Sequence, residues 1–178
     1  MKLKFLKMFT MTAAVAAALT FSACGDDSPS GPTSSVNNDW RNYCIDAINK
    51  YRATEDAAPL KLAADDKLDC IDKQTANDLK TGKAHGHFGD CKESAQNSGP
   101  NISLARAGSD SSIVDTYLEM MWDEKKLVES GEKDPDKKED YPSIGHYLNM
   151  RNTRYTSAAC SIAKSADGKT GWFNVNFY

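Results

Sequence analysis

The chain has 178 residues, of which 26% are charged and 40% apolar, and its formal net charge is −3. That is room for one domain of ordinary size; it excludes a disordered acidic tail, and the missing basic surplus argues against a nucleic-acid partner. Five cysteines are also too few for a mini-scaffold held mainly by bridges. The first 23 residues carry Lys2, Lys4 and Lys7 and no acid, so the remainder sets 19 basic residues against 25 acidic ones. What is left is a mildly acidic domain.

Met1–Ala23 reads as an export signal. Three lysines form a positive start, and Met8 to Phe21 is a run of Ala, Met, Val, Leu and Thr too short for a stable membrane span. It ends in Phe21-Ser22-Ala23-Cys24, which resembles a bacterial lipobox, so Cys24 is the expected lipidation site and mature N-terminus. Residues 24–38 then supply a tether of Gly, Asp, Ser, Pro, Thr and Asn, with too little apolar surface to fold. Gly25 after the cysteine resembles lipoproteins sent to the outer membrane or cell surface. The expected location is therefore the cell envelope, with the bacterial membrane as a partner through acylated Cys24.

Export implies an oxidising compartment. Cys44, Cys70, Cys91 and Cys160 are an even set, and two disulfides are expected with all three pairings open. No two of them stand at C-x-x-C spacing, which disfavours a zinc site built from the four.

From Asp39 the pattern turns helical. Trp40, Tyr43, Cys44, Ala47, Ile48 and Tyr51 recur at three and four residues, with Asn38 or Asp39 as N-cap. A second helix is predicted from about Ala64 to Lys80, with Leu68, Ile71, Thr75 and Leu79 inward. Thr81 to Asp110, rich in Gly, Asn and Ser, reads mostly as loop. A third helix starts near Ser111 or Ser112 and carries Ile113, Val114, Tyr117, Leu118 and Met121. Gly131 to Asp140 is a charged, solvated loop, and Pro142-Ser143 opens a short helix to about Met150. Thr156–Lys164 and Trp172–Tyr178 read as strands joined through Ala166-Asp167-Gly168-Lys169, with Asp-Gly a hairpin signal because both turn positions favour positive φ. Phe173, Val175 and Phe177 alternate with Trp172, Asn174 and Asn176, predicting one buried face. Helices first and strands last give an α+β domain over residues 39–178, with an antiparallel sheet between helices.

Three stretches together resemble the CAP superfamily, the cysteine-rich secretory, antigen 5 and pathogenesis-related proteins, in the style of its bacterial extracellular members. Gly145-His146-Tyr147-Leu148-Asn149-Met150 looks like the family's Gly-His-Tyr signature. Ala84-His85-Gly86-His87-Phe88-Gly89 looks like the segment holding its first histidine, and Ile45 to Leu62 is similar to its opening helix and exit. The resemblance implies an α-β-α sandwich with a surface cleft holding two histidines and two acids. It places His146 as one histidine, His87 as the other with His85 as the alternative, and Glu124 as the acid of the third helix. The second acid should fall within Gln96-Asn97-Ser98-Gly99-Pro100-Asn101, at Ser98 or Pro100, and no acid stands there.

Glu124 also interrupts the apolar stripe of its own helix, which asks for a cleft, a cation or the end of the core. His87 and His146 converging with it are candidate ligands for a divalent metal, zinc being the candidate cofactor. Without a second acid, general acid–base catalysis lacks a member. Ser98 could pose as a nucleophile beside His87 and Glu124, but no Gly-x-Ser-x-Gly elbow is present. The expected function is therefore a binding module for a metal, small molecule, lipid or polymer, without covalent catalysis. The rivals are a metal-dependent hydrolase of envelope or extracellular polymer and a structural or adhesive surface protein.

Overall fold

The computed structural model describes residues 39–178; Cys24, the export signal and the tether lie outside the described residues. In chain order the elements are α1 (Asp39–Ala53), β1 (Lys61–Leu62), α2 (Asp65–Thr81), β2 (Ala95–Ser103), α3 (Leu104–Ala107), α4 (Asp110–Asp123), α5 (Lys125–Glu129), α6 (Tyr141–Arg151), β3 (Ser157–Lys164) and β4 (Thr170–Phe177). The sheet order is β1-β3-β4-β2. Strands β2, β4 and β3 pair antiparallel, and two-residue β1 joins the edge of β3 in parallel. Helices α1, α4 and α6 pack together on one side of the sheet and α2 covers the other, an α-β-α sandwich. Among the described residues no helix is long and apolar enough to cross a membrane.

Apolar spacing accounts for one side. Cys44, Ile45 and Ile48 of α1 and Ile113, Val114, Leu118 and Met121 of α4 bury themselves against Phe173, Val175 and Phe177 of β4. Ser109 caps α4 by accepting the Ser112 N–H at 3.2 Å, and the helix begins at Asp110, one to two residues ahead of the predicted start. The buried Arg52 guanidinium ends α1 by donating to the carbonyls of Ala58, Met150 and Asn152, so it also satisfies carbonyls at the end of α6.

The other side is polar and equally buried. In α2 the inward residues are Leu68, Ile71, Gln74, Thr75 and Asp78. Leu79 is only half-buried, so Asp78 takes the place predicted for it. In β4, Trp172, Asn174 and Asn176 are as buried as Phe173, Val175 and Phe177. The expectation of one buried face fails because α2 lies over the second face; the amides there are tolerated because each finds a hydrogen-bonding partner. Cys44–Cys160 ties α1 to β3 on the apolar side, and Cys70–Cys91 ties α2 to the turns before β2.

Two further expectations are corrected. The stretch read as loop contains β2, whose nine residues are held by tertiary pairing with β4 despite low strand propensity. Pro100 and Asn101 sit where the ladder shifts between Gly99 and Ile102, the position a proline can occupy. Gly99 itself is required, since a Cβ there would lie 2.3 Å from the Tyr117 ring. The β3–β4 connection runs through residues 166–169 as expected, with the Ser165 N–H donating to the Thr170 carbonyl, but of the Asp-Gly pair Gly168 alone has positive φ.

Candidate functional site

The turns from Lys83 to Lys92 precede β2 and carry two histidines in different settings. Glu93 organises them: its carboxylate accepts the N–H groups of Gly89 and Cys91 and the amide of Gln74. His85 stands in the left-handed region at φ 59°, a conformation costing roughly 1 kcal/mol for a residue with a Cβ. That strain sets its ring against the ring of His146 on α6, with centroids 6.5 Å apart and planes inclined by 27°. His87, two residues on, turns instead to the buried Asp78, with Nδ1 2.7 Å from Oδ1.

The imidazole facing His146 is therefore that of His85, the alternative of the sequence reading, and not that of His87. The reason is local. These residues lie in consecutive turns, where side-chain direction follows no fixed period, and Asp78 offers His87 a buried carboxylate.

Glu124 lies at the junction of α4 and α5, and its carboxylate accepts from His146 Nδ1 at 2.6 Å and from the N–H groups of His146 and Tyr147 at 2.9 and 3.1 Å. The pairing of Glu124 with His146 that the motifs implied is present. At His85 the partner is Gln96, whose Oε1 is 3.0 Å from Nδ1. A neutral amide stands where the family pattern leads one to look for a second acid. Neither Ser98 nor Pro100 takes that role. The Ser98 hydroxyl donates to Asn174 Oδ1 at 2.7 Å and accepts from the Trp172 indole at 2.9 Å, so it is held by the sheet.

Both imidazoles line an open cleft of about 460 Å³ between the start of β2 and α6, a volume suited to a small molecule. Phe88, Tyr141, Pro142 and Tyr155 supply apolar wall; Gln96 and Asn149 supply polar wall; among the described residues no Asp, Glu, Lys or Arg lines it. Burial pushes the Tyr155 phenol above its ordinary value, so it keeps its proton at neutral pH. A second hollow of about 320 Å³, lined by Ser98, Pro100, Tyr117, Met120 and Glu124, adjoins His146 from the other side. Phe88, Tyr141 and Met120 are the exposed large hydrophobic side chains among the described residues, and all three line one or other hollow.

As a metal site the cleft falls short. The Nδ1 atoms of both rings are engaged, which leaves two Nε2 atoms as donors, whereas zinc sites are usually built from three or four protein ligands. Among the described residues no group of three His, Cys, Asp or Glu side chains is placed to hold an ion.

Sequence reasoning missed Gln96, Glu93, Gln74 and Asn176. The signal was present in α2, where Gln74 and Asp78 stand four residues apart in line with Leu68 and Ile71, and in the alternate asparagines of β4.

Comparison with known proteins places these features. The model for the cysteine-rich secretory protein family (CAP) matches residues 45–177. The fold is similar to a crystal structure of NaASP2 with Zn2+, at a TM-score of 0.59 and 14% identity, covering 82% of each chain. It is also similar to a crystal structure of Na-ASP-1, at a TM-score of 0.54 and 17% identity, covering 85% of this chain and 43% of that one. A search of curated proteins finds no match.

Proposed function

The chain belongs to the cysteine-rich secretory protein (CAP) family, and from that premise we propose that it is an exported, lipid-anchored envelope protein whose CAP domain works as a binding module. The observation that supports the reading is the cleft itself: two imidazoles face each other across an uncharged, partly aromatic hollow, one backed by a carboxylate and the other by an amide. Of the two acids that the resemblance implied, Glu124 alone is present and Gln96 stands in the place of the other, so a pair of carboxyl groups for general acid–base hydrolysis is missing from the site. Acylated Cys24 would hold the domain at the membrane, with residues 25–38 as its tether.

A metal-dependent hydrolase is the competing reading, favoured by the zinc in the NaASP2 crystal structure. Here His85 and His146 would be the residues to hold such an ion, and two imidazoles bind it weakly.

One experiment addresses both. The Cys24→Ser protein should leave the membrane fraction, and in that soluble form it should bind zinc only weakly in calorimetry. It should turn over none of a panel of peptides, esters and glycans. Stoichiometric zinc binding at nanomolar affinity, or a hydrolytic activity lost in Glu124→Ala, would overturn the binding-module reading. Retention of Cys24→Ser on membranes would overturn the anchor.

A further inference from the structure

The direction of every hydrogen bond behind His85 is fixed by a carboxylate four side chains away. Glu93 accepts from Gln74 Nε2, so Gln74 presents Oε1 to Asn176 Nδ2 at 2.7 Å. Asn176 then presents Oδ1 to Gln96 Nε2 at 3.0 Å, which leaves Gln96 Oε1 for His85 Nδ1. An amide oxygen accepts only, so the proton of a neutral His85 sits on Nδ1 and its lone pair on Nε2. Gln74, Gln96 and Asn176 are all nine-tenths or more buried, so water does not scramble the order. At His146 the Glu124 carboxylate imposes the same tautomer.

The remaining donors of the cleft wall point the same way. Tyr141 gives its hydroxyl proton to Asn149 Oδ1 at 2.9 Å, and the Asn149 amide donates to Asn97 Oδ1 at 3.0 Å. The cleft thus shows a ligand two imidazole lone pairs, with the Ser94 and Tyr155 hydroxyls free to take either role.

We propose that the cleft is an acceptor-faced site, and that its ligand is an uncharged, polyhydroxylated ring compound of the sugar class. Two acceptor nitrogens on separate rings call for at least two donors on one molecule. An anion would meet lone pairs with no cation to balance it. An ammonium would lack a lining carboxylate, since Glu124 already holds three donors. The aromatic wall of Phe88, Tyr141 and Tyr155 suits the apolar face of a sugar ring. This inference rests on the binding-module reading.

The test uses the Cys24→Ser chain and ¹⁵N NMR of the imidazoles at neutral to mildly alkaline pH. His85 and His146 should both carry the proton on Nδ1. Phenyl β-D-glucopyranoside should shift both Nε2 signals, at concentrations where phenyl phosphate and phenethylamine do not. Gln96→Glu should keep the His85 proton on Nδ1, as Glu124 does for His146, and leave the preference for the glucoside in place. Asn176→Leu, which cuts the chain of amides, should mix the two tautomers of His85 while leaving His146 unchanged.

An Nε2-protonated ring in the unsubstituted chain, or a preference for the phosphate or the amine, overturns the proposal. Correct tautomers with no response to any probe overturn the ligand class alone. Probe shifts confined to residues away from the cleft overturn the binding-module reading as well.

Discussion

The two faces of the sheet are buried to the same degree by opposite means. Against α1 and α4 the strands present Phe173, Val175, Phe177 and Cys160, which gain by leaving water and need no orientation. Against α2 they present Asn174, Asn176 and Ser161, bonded to Asp78, Gln74 and Asp72, and each of these costs free energy unless its partner is in place. The apolar face gives the domain stability and tolerates approximate packing. The polar face gives direction, because a chain of amides has an order, and that order reaches the cleft at His85.

The comparison can be broken most severely at the disulfides. Cys44–Cys160 spans 116 residues on the apolar side and Cys70–Cys91 spans 21 on the polar side. Loop-closure entropy makes the first worth about 5 kcal/mol and the second about 3. Paired Cys→Ala variants compared by urea unfolding should keep that ranking, and equal losses would remove the distinction. Core deletions come next. Phe173→Ala should cost about 3–5 kcal/mol through the cavity it leaves. Asn174→Ala should cost about 1–3 kcal/mol, because Asp78 and the Ser98 hydroxyl each lose a partner. If the asparagine proves the more expensive of the two, the polar face is the structural one.

The smallest expected effect lies outside both faces, where Glu55 joins Lys125 of α5 to Arg151 of α6. Burial pushes the Glu55 carboxyl up, but the hydrogen bond and charge of Lys125 and the charge of Arg151 outweigh it and hold it below its ordinary value of 4.5. A carboxylate lowered on folding stabilises fully above that ordinary value and loses the contribution as pH falls through the folded one. Glu55→Gln should therefore be less stable at pH 7 by about 1 kcal/mol or less, with the gap closing at a pH below the lowered folded value. Chemical unfolding at the two pH values measures it; a gap that persists in acid would assign Glu55 a packing role.

How far the sequence revealed this molecule follows the same division. Helices α1, α2 and α4 were legible because Ile48, Leu68 and Val114 repeat at helical spacing, and β3 and β4 because small and aromatic residues run up to a glycine turn. Even cysteines foretold two disulfides, but pairing depends on which elements meet in space. Strand β2 was hidden, since Gln96, Asn97, Ser98, Gly99 and Pro100 carry loop chemistry and are strand only by virtue of β4 beside them. Glu124 and His146 were legible from motif and stripe. His85 and His87 could not be separated, because a left-handed residue in a turn decides between them. Gln96 escaped because the motif directed attention to an acid.

Cys70 and Cys91 bracket the whole stretch that carries Gln74, Asp78, His85 and His87. Without that bond the turns would keep their ties to α2 and β2 and the hydrogen bonds of Glu93, and the bearing of the His85 lone pair would be held less firmly. Oxidation closes the bracket. The proposed grip on a ligand thus depends on the redox state of a bond that lies outside the cleft.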